Sequence, residues 1–274
     1  MNRLAKAGIA VLSAAGAYAL LLRPRRNHPG WDALARVRYA HRGLHDMNLG
    51  IPENSMAAFR RAVEHGFGAE LDVHLMADGE LAVIHDSSLE RVCGKPVHIE
   101  ELTAADLPDC TLMGTRETVP LLRDVLALFE GKTPLIIELK VRRGNANSLT
   151  DAVMAALEGW NGACCIESFH PGVLLRLKQR YPQVIRGQLS QNFLSGDHTG
   201  LGPPADFIMT HLLTSFLTKP DFIAYPYEHR NNMSLRLMKK VYGVHEAAWT
   251  VRDRGIMEAL EKDGAVSIFE EFIP

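Results

Sequence analysis

Short apolar, β-rich runs recur along the chain and alternate with segments whose apolar positions repeat at helical spacing. The extended runs are 37–40, 69–75, 135–140, 163–168, 184–189, 207–210, 247–251 and 265–269. A further run, 80–84, follows the Asp78-Gly79 pair, which predicts a local hairpin rather than a separate unit of the repeat. Helical periodicity covers 54–64, 121–129, 147–160, 171–181, 234–242 and 253–262. Ser55 is placed to cap the first of these, and Pro120 suits the entry to the second. Strands that alternate with helices predict a parallel sheet, and eight of them predict closure into a (β/α)8 TIM barrel. An open doubly wound sheet is the second choice, because it usually has fewer strands.

The stretch 86–118 is too long for an ordinary βα connection and reads as a small insertion after the second strand, with a helical turn at 102–107. Residues 192–204 are rich in Gly, Ser and Pro and read as a loop near the rim. A different pattern occupies the start of the chain. Residues 7–22 carry no charge and are bracketed by Lys6 and Arg23. Almost no polar face exists for a buried helix, so the run is expected to be an uncleaved N-terminal membrane helix, short but extendable by snorkelling of its basic flanks. A signal peptide is the rival reading, since Ala17-Tyr-Ala19 resembles a cleavage site, but Leu20, Leu21 and Leu22 continue the apolar run beyond it. The expected division is an anchor and linker over 1–36 and a barrel over 37–274.

Charge sharpens this division. Residues 1–26 hold five basic residues and no acid, leaving 25 basic against 32 acidic residues in the remainder, a balance of −7. A mildly acidic body with no basic, aromatic-interleaved stripe is not expected to bind nucleic acid. Cys93, Cys110, Cys164 and Cys165 include no CxxC pair, which argues against a zinc site or a disulfide framework. They read as small core residues, and they favour the cytoplasmic side of the membrane for the body.

Chemistry gathers between His41 and Lys140. On the second strand, side-chain alternation puts Glu70 and Asp72 on one face. Two carboxylates side by side are costly to bury unless a cation neutralises them. The third strand brings Glu138 and Lys140 to one face, while His41-Arg42 and His85-Asp86 follow the first strand and the hairpin. In a parallel barrel these strand ends share one rim. Three hard oxygen donors suit a divalent metal ion, Mg2+ or Ca2+, better than zinc. A metal, two imidazoles and two cationic side chains form an inventory for phosphoryl chemistry. Singly, each pair also fits a solvated edge or a surface salt bridge; their concentration at successive strand ends favours function.

The segments Ala40-His-Arg-Gly43, Pro52-Glu-Asn54, Gly68-Ala-Glu-Leu-Asp-Val73, Val83-Ile-His-Asp86 and Ile137-Glu-Leu-Lys140 resemble the glycerophosphodiester phosphodiesterase family, with weaker likeness at Ser168-Phe169 and Trp249-Thr-Val251. The likeness covers about 37–270. It implies a (β/α)8 barrel with an inserted subregion. It implies Glu70, Asp72 and Glu138 as metal ligands, with Glu53 as a further ligand or an orienting group. It implies His41 and His85 as the acid/base pair, and Arg42 and Lys140 as phosphate contacts. Trp249 would either wall the substrate or fill the barrel core. The expected reaction is metal-dependent hydrolysis of glycerophosphodiesters to glycerol 3-phosphate and an alcohol. Alternatives are a lysophospholipase D acting on the same bond in lipids, favoured by the apolar leader, and a non-catalytic membrane-anchored binding protein on a barrel scaffold. Arg252 and the terminal Ser267-Ile-Phe-Glu270 depart from the family pattern and bear on substrate choice.

Overall fold

The computed structural model describes residue 13 and residues 15–25, 28–196 and 198–274. Nine strands form one sheet: β1 Tyr39–Ala40, β2 Gly68–Leu75, β3 Leu81–Val83, β4 Leu135–Leu139, β5 Cys164–Ser168, β6 Arg186–Leu189, β7 Phe222–Pro226, β8 His245–Val251 and β9 Val266–Phe269. All but β3 are mutually parallel, and β1 pairs with both β2 and β9, so the eight parallel strands close into a barrel. The antiparallel β3 hangs on the outer half of β2, with Val73 opposite Val83, as the Asp78-Gly79 turn predicts.

Alternation along the strands divides the apolar residues into two layers. Leu71, Val73, Ile137, Leu139 and Ile166 face outward onto Phe59, Leu126, Phe129, Leu149 and Leu177 of the surrounding helices. Tyr39, Ile136, Cys165, Leu189, Phe222 and Ala247 face inward. The inner layer is closed at the N-terminal mouth by Trp31, whose ring stacks on His245 (centroids 4.5 Å, 13°) and leans on Phe222 (5.2 Å). Residues between Ile84 and Leu121 bury their own apolar cluster around Ile99, Leu107 and Leu112 beside the hairpin. Ser55 caps the Met56–Glu64 helix by accepting from Ala58 N at 3.1 Å.

One strand lies elsewhere than the periodicity predicts. Residues 207–210 end a helix, Pro203–Thr210, and the sixth barrel strand is Phe222–Pro226. Phe207-Ile-Met has strand-like composition, but Pro203 and Pro204 start a helix just upstream. Pro226 masks the true strand, although a proline at a strand's last position does not interrupt its ladder.

Of the predicted membrane helix over 7–22, residues 7–12 and 14 lie outside the described residues. Its described end, 15–21, is helical, and among the described residues no helix is long and apolar enough to cross a membrane. This end packs on the barrel flank: Leu22 is buried with Leu212, Ile223 and Tyr225, Tyr18 Oη lies 2.6 Å from Ser234 Oγ, and Tyr242 Oη donates to Ala19 O at 2.7 Å. Arg25 then clamps the buried Asp221 with both carboxylate oxygens at 2.5 Å and donates to Val184 O at 2.9 Å. Among the described residues, Arg25→Ala leaves that carboxylate with the Arg186 N–H alone. It is expected to lower unfolding free energy by about 2–3 kcal/mol, below the full cost of breaking a buried pair because Arg25 is partly solvated. Urea denaturation checks this.

Candidate active site

A cavity of about 520 Å³ opens at the C-terminal end of the barrel, lined by the strand-end residues from β1, β2, β4, β5, β8 and β9. Glu70 and Glu138 line its floor and Asp72 lies against them, all buried, with one carboxylate oxygen from each within 4.8 Å of the others. Their convergence follows from register: Asp72 on β2 stands beside Glu138 on β4, and Glu138 beside Glu167 on β5.

Such crowding shows in the proton affinities. Burial, reinforced by Asp72 and Glu138, pushes the Glu70 carboxyl well above its ordinary value. Burial pushes Glu138 to about 7 even though Lys140 opposes it. Burial would raise Asp72 too, but Lys140, His85 and Arg42 together hold it well below. Lys140 Nζ bridges Asp72 Oδ1 (2.9 Å) and Glu138 Oε2 (2.8 Å). A fourth carboxyl, Glu167, is raised by burial and then by Glu138, and its Oε2 has no hydrogen-bond partner. Only if ionised would four buried carboxyls outweigh Lys140 and Arg42, and the raised proton affinities of Glu70, Glu138 and Glu167 report that these two cations do not neutralise them all; the donor set is all oxygen. These residues fit a hard divalent cation.

His41 and His85 both line the cavity. Each has a carboxylate on Nδ1: Glu270 Oε2 at 2.5 Å from His41, and Asp86 Oδ1 at 2.6 Å from His85. That pairing holds the proton on Nδ1 and leaves Nε2 to accept one. Burial is the main cause lowering both imidazoles, with Arg42 adding to it in each case. The Glu270 carboxyl, which burial would raise, is held far below its usual range by His41 and His45, and Arg252 bonds its other oxygen. Behind His85, the buried His74 reaches the His85 carbonyl through Nε2 (3.2 Å) and Glu100 through Nδ1 (2.8 Å).

Arg42 sits with φ at 55° and Gly43 at 80°, a turn that aims the Arg42 N–H at Glu70 Oε2 (3.1 Å). A Cβ on Gly43 would meet Ala58 Cβ at 2.9 Å. Gly43→Ala is therefore expected to cost about 2 kcal/mol through strain and overlap, read as a fall in thermal midpoint. Glu53 stands apart from the carboxylate trio: its oxygens accept from Arg42 Nη1 (2.9 Å) and Arg91 Nη2 (2.7 Å). It orients Arg42 and, through Arg91, joins Asp86. Asn54 Nδ2 donates to Asp72 Oδ2 at 2.9 Å. Trp249 meets Phe169 edge-on at 6.2 Å and forms an aromatic side of the cavity.

Sequence reasoning assigns no role to Glu167, Glu270, Asp86 or Asn54. Alternation within 163–168 and the neighbouring Glu138 carried a signal for Glu167. Adjacency to His85 carried one for Asp86. Nothing in sequence links Glu270 to His41, 229 positions away.

Barrel, buried carboxylate cluster and carboxylate-paired imidazoles thus meet at one end of the sheet. The chain belongs to the glycerophosphoryl diester phosphodiesterase family, whose model matches residues 41–273. It is 35% identical over 135 residues to the human lysophospholipase D GDPD1, covering 44% of this chain and 41% of that protein. It is 32% identical over 157 residues to a Bacillus altitudinis glycerophosphodiester phosphodiesterase, covering 53% and 63%. In both, the match spans less than two thirds of the relative's length. An Oleispira antarctica phosphodiesterase solved with its product sn-glycerol-3-phosphate shares the fold at TM-score 0.67 and 21% identity, covering 87% of this chain and 94% of that one. A Parabacteroides distasonis glycerophosphodiester phosphodiesterase does so at 0.66 and 24%, covering 85% and 92%.

Proposed function

We propose that this chain hydrolyses glycerophosphodiesters to glycerol 3-phosphate and an alcohol. The observation that carries the reading is the meeting, in one cavity, of the Glu70, Asp72 and Glu138 carboxylates with two histidines that each have a carboxylate on Nδ1. The residues fit Mg2+ or Ca2+ held by Glu70, Asp72 and Glu138. When bound, such an ion draws charge from the phosphoryl oxygens and lowers the pKa of a nearby hydroxyl. Arg42, steadied by Glu53, supplies positive charge to the same oxygens. Lys140 keeps Asp72 ionised and adds its charge from the floor of the site. One imidazole takes the nucleophile's proton at Nε2 while the phosphorus–oxygen bond to the leaving group breaks. The other, entering protonated on both ring nitrogens, delivers its Nε2 proton to the departing alkoxide, and an oxygen that comes finally from water takes the leaving group's place on phosphorus, so the ester yields one phosphomonoester and one alcohol.

A second reading, lysophospholipase D action, is favoured by the uncharged run 7–22, which would hold the barrel at a membrane as a single N-terminal anchor with the body on the cytoplasmic face. Product analysis over glycerophosphocholine, glycerophosphoethanolamine and lysophosphatidylcholine, with Mg2+, Ca2+ or chelator, tests both. Glycerol 3-phosphate release abolished by chelator is the expected result. Lysophosphatidic acid as the dominant product selects the second reading. No hydrolysis of any substrate with either ion, and no calorimetric metal binding, refutes the enzymatic assignment in favour of a scaffold.

A further inference from the structure

The β6–β7 connection inverts the usual arrangement of a surface helix. In Pro203–Thr210 the polar residues Asp206 and Thr210 are turned inward, 4% and 3% exposed, while Phe207 and Ile208 are 48% and 41% exposed. Inward, Asp206 accepts from Thr199 N (2.8 Å) and Thr199 Oγ1 (2.5 Å), and Thr210 Oγ1 accepts from Phe193 N (2.9 Å). These bonds hold the helix in the rotation that presents its apolar face to the outside. The next turn, Ser215–Thr218, repeats the inversion: Ser215 and Thr218 are buried, and Phe216 and Leu217 are exposed. With Leu194 and Leu201, six large apolar side chains of this one connection face outward. Scattered exposed apolar residues are ordinary, but two successive helices that bury hydroxyls to expose phenylalanine are not.

This surface adjoins the cavity. Ser190 Oγ, just beyond β6, donates to Met209 O (2.7 Å), and Tyr225 Oη on β7 donates to Thr210 O (3.2 Å). Phe193 packs on Phe169 at 6.0 Å, and Phe169 in turn on Trp249 in the cavity wall. The same flank receives the apolar leader, since Leu22 and Leu212 share one buried cluster. Its helical acid, Asp206, is buried and bonded inward, while Lys219 donates to Arg23 O (2.9 Å) and Lys178 to Leu217 O (2.6 Å), and among the described residues neither lysine pairs with a carboxylate. Burial, Arg23 and Lys178 all lower the Lys219 ammonium.

We propose that the outward face of 194–217 is a docking surface for an anionic phospholipid bilayer, into whose interface Phe207 and Ile208 insert. The run 7–22 and the cations Arg23, Lys178 and Lys219 select a lipid surface over a protein partner: apolar side chains enter the headgroup boundary while unpaired ammonium groups meet phosphates. The aromatic link through Phe193 and Phe169 then offers a lipid headgroup a short path from bilayer to cavity. This last point rests on the phosphodiesterase reading; the docking itself does not.

The test uses the full chain with vesicles of phosphatidylcholine and phosphatidylglycerol. Phe207→Trp is compared with Lys132→Trp, an exposed position ahead of β4, for quenching by lipids brominated in the acyl chain. Expected is extra quenching over the parent at position 207 and none at 132. Phe207→Ser/Ile208→Ser should weaken vesicle partitioning about tenfold and slow hydrolysis of vesicle-borne lysophospholipid, with the rate on soluble glycerophosphocholine unchanged. Absence of vesicle binding, equal quenching at both positions, or unaltered partitioning of the double variant overturns the proposal. Quenching at 207 in a chain that hydrolyses no phosphodiester would leave docking standing and remove the enzymatic reading instead.

Discussion

His85→Ala is expected to lower kcat on the preferred phosphodiester by about 10²–10⁴-fold, the usual contribution of a positioned acid or base, with little change in unfolding free energy. His41→Ala should do the same. The carboxylate on each imidazole keeps an arginine partner without it, Arg252 on Glu270 and Arg91 on Asp86. Removing an imidazole therefore deletes proton transfer while the carboxylate floor stays assembled. The pH profile carries a further consequence. Burial lowers both imidazoles below 6.5. The base must be neutral to accept a proton and the acid protonated to give one, so activity should pass through a maximum: a rising limb, centred below 6.5, as the base loses its proton, and a falling limb as the acid loses its own. Full activity in either alanine variant, or a rising limb centred above 7 that is unchanged in both, would remove the histidines from the mechanism.

Glu138→Gln should abolish metal-supported turnover and, in metal-free protein at pH 8, raise stability by on the order of 2 kcal/mol. The direction follows from the raised pKa. The Glu138 carboxyl titrates at about 7 in the fold against an ordinary 4.5, so the folded chain holds its proton more tightly than the unfolded chain. Its neutral form costs nothing below pH 4.5. As pH rises through about 7 the folded state must carry a further buried negative charge beside Glu70 and Asp72, and stability falls. Glutamine keeps the shape without the charge, so the advantage of the variant should fade between pH 8 and pH 4.5. Saturating Mg2+ or Ca2+ should reverse the order, stabilising the parent and leaving the variant nearly unmoved. Thermal melts at the two pH values, with chelator and with metal, read all of this. A variant less stable than its parent at pH 8 without metal would refute the picture of a site strained by its own charge.

The structure also separates roles that sequence runs together. Glu53 and Glu138 both stand in short acidic motifs, yet only Glu138 reaches the floor. Glu53 is drawn aside by Arg42 and Arg91. Arg91 comes from the inserted region, so its reach to Glu53 depends on how that region docks.

Local pattern was sufficient for much of this protein. Alternating strand and helix periods determined a closed βα barrel, because each period reports which face of an element must be buried. Alternation placed Glu70 with Asp72, and Glu138 with Lys140, on shared faces, because a strand's side-chain period is independent of its neighbours. It failed at the sixth barrel strand, where a short β-like run, 207–210, proved to be the end of a proline-started helix. There the decision lay with packing: Asp206 and Thr210 found partners inside, which turned the apolar residues out. Only the closed barrel brought β9 beside β1 and so set Glu270 on His41. Only strand register set Glu167 beside Glu138. Sequence specifies which side chains share a face. Which faces meet, and therefore which charges must coexist in one cavity, is decided by barrel closure and register, which depend on contacts far apart along the chain.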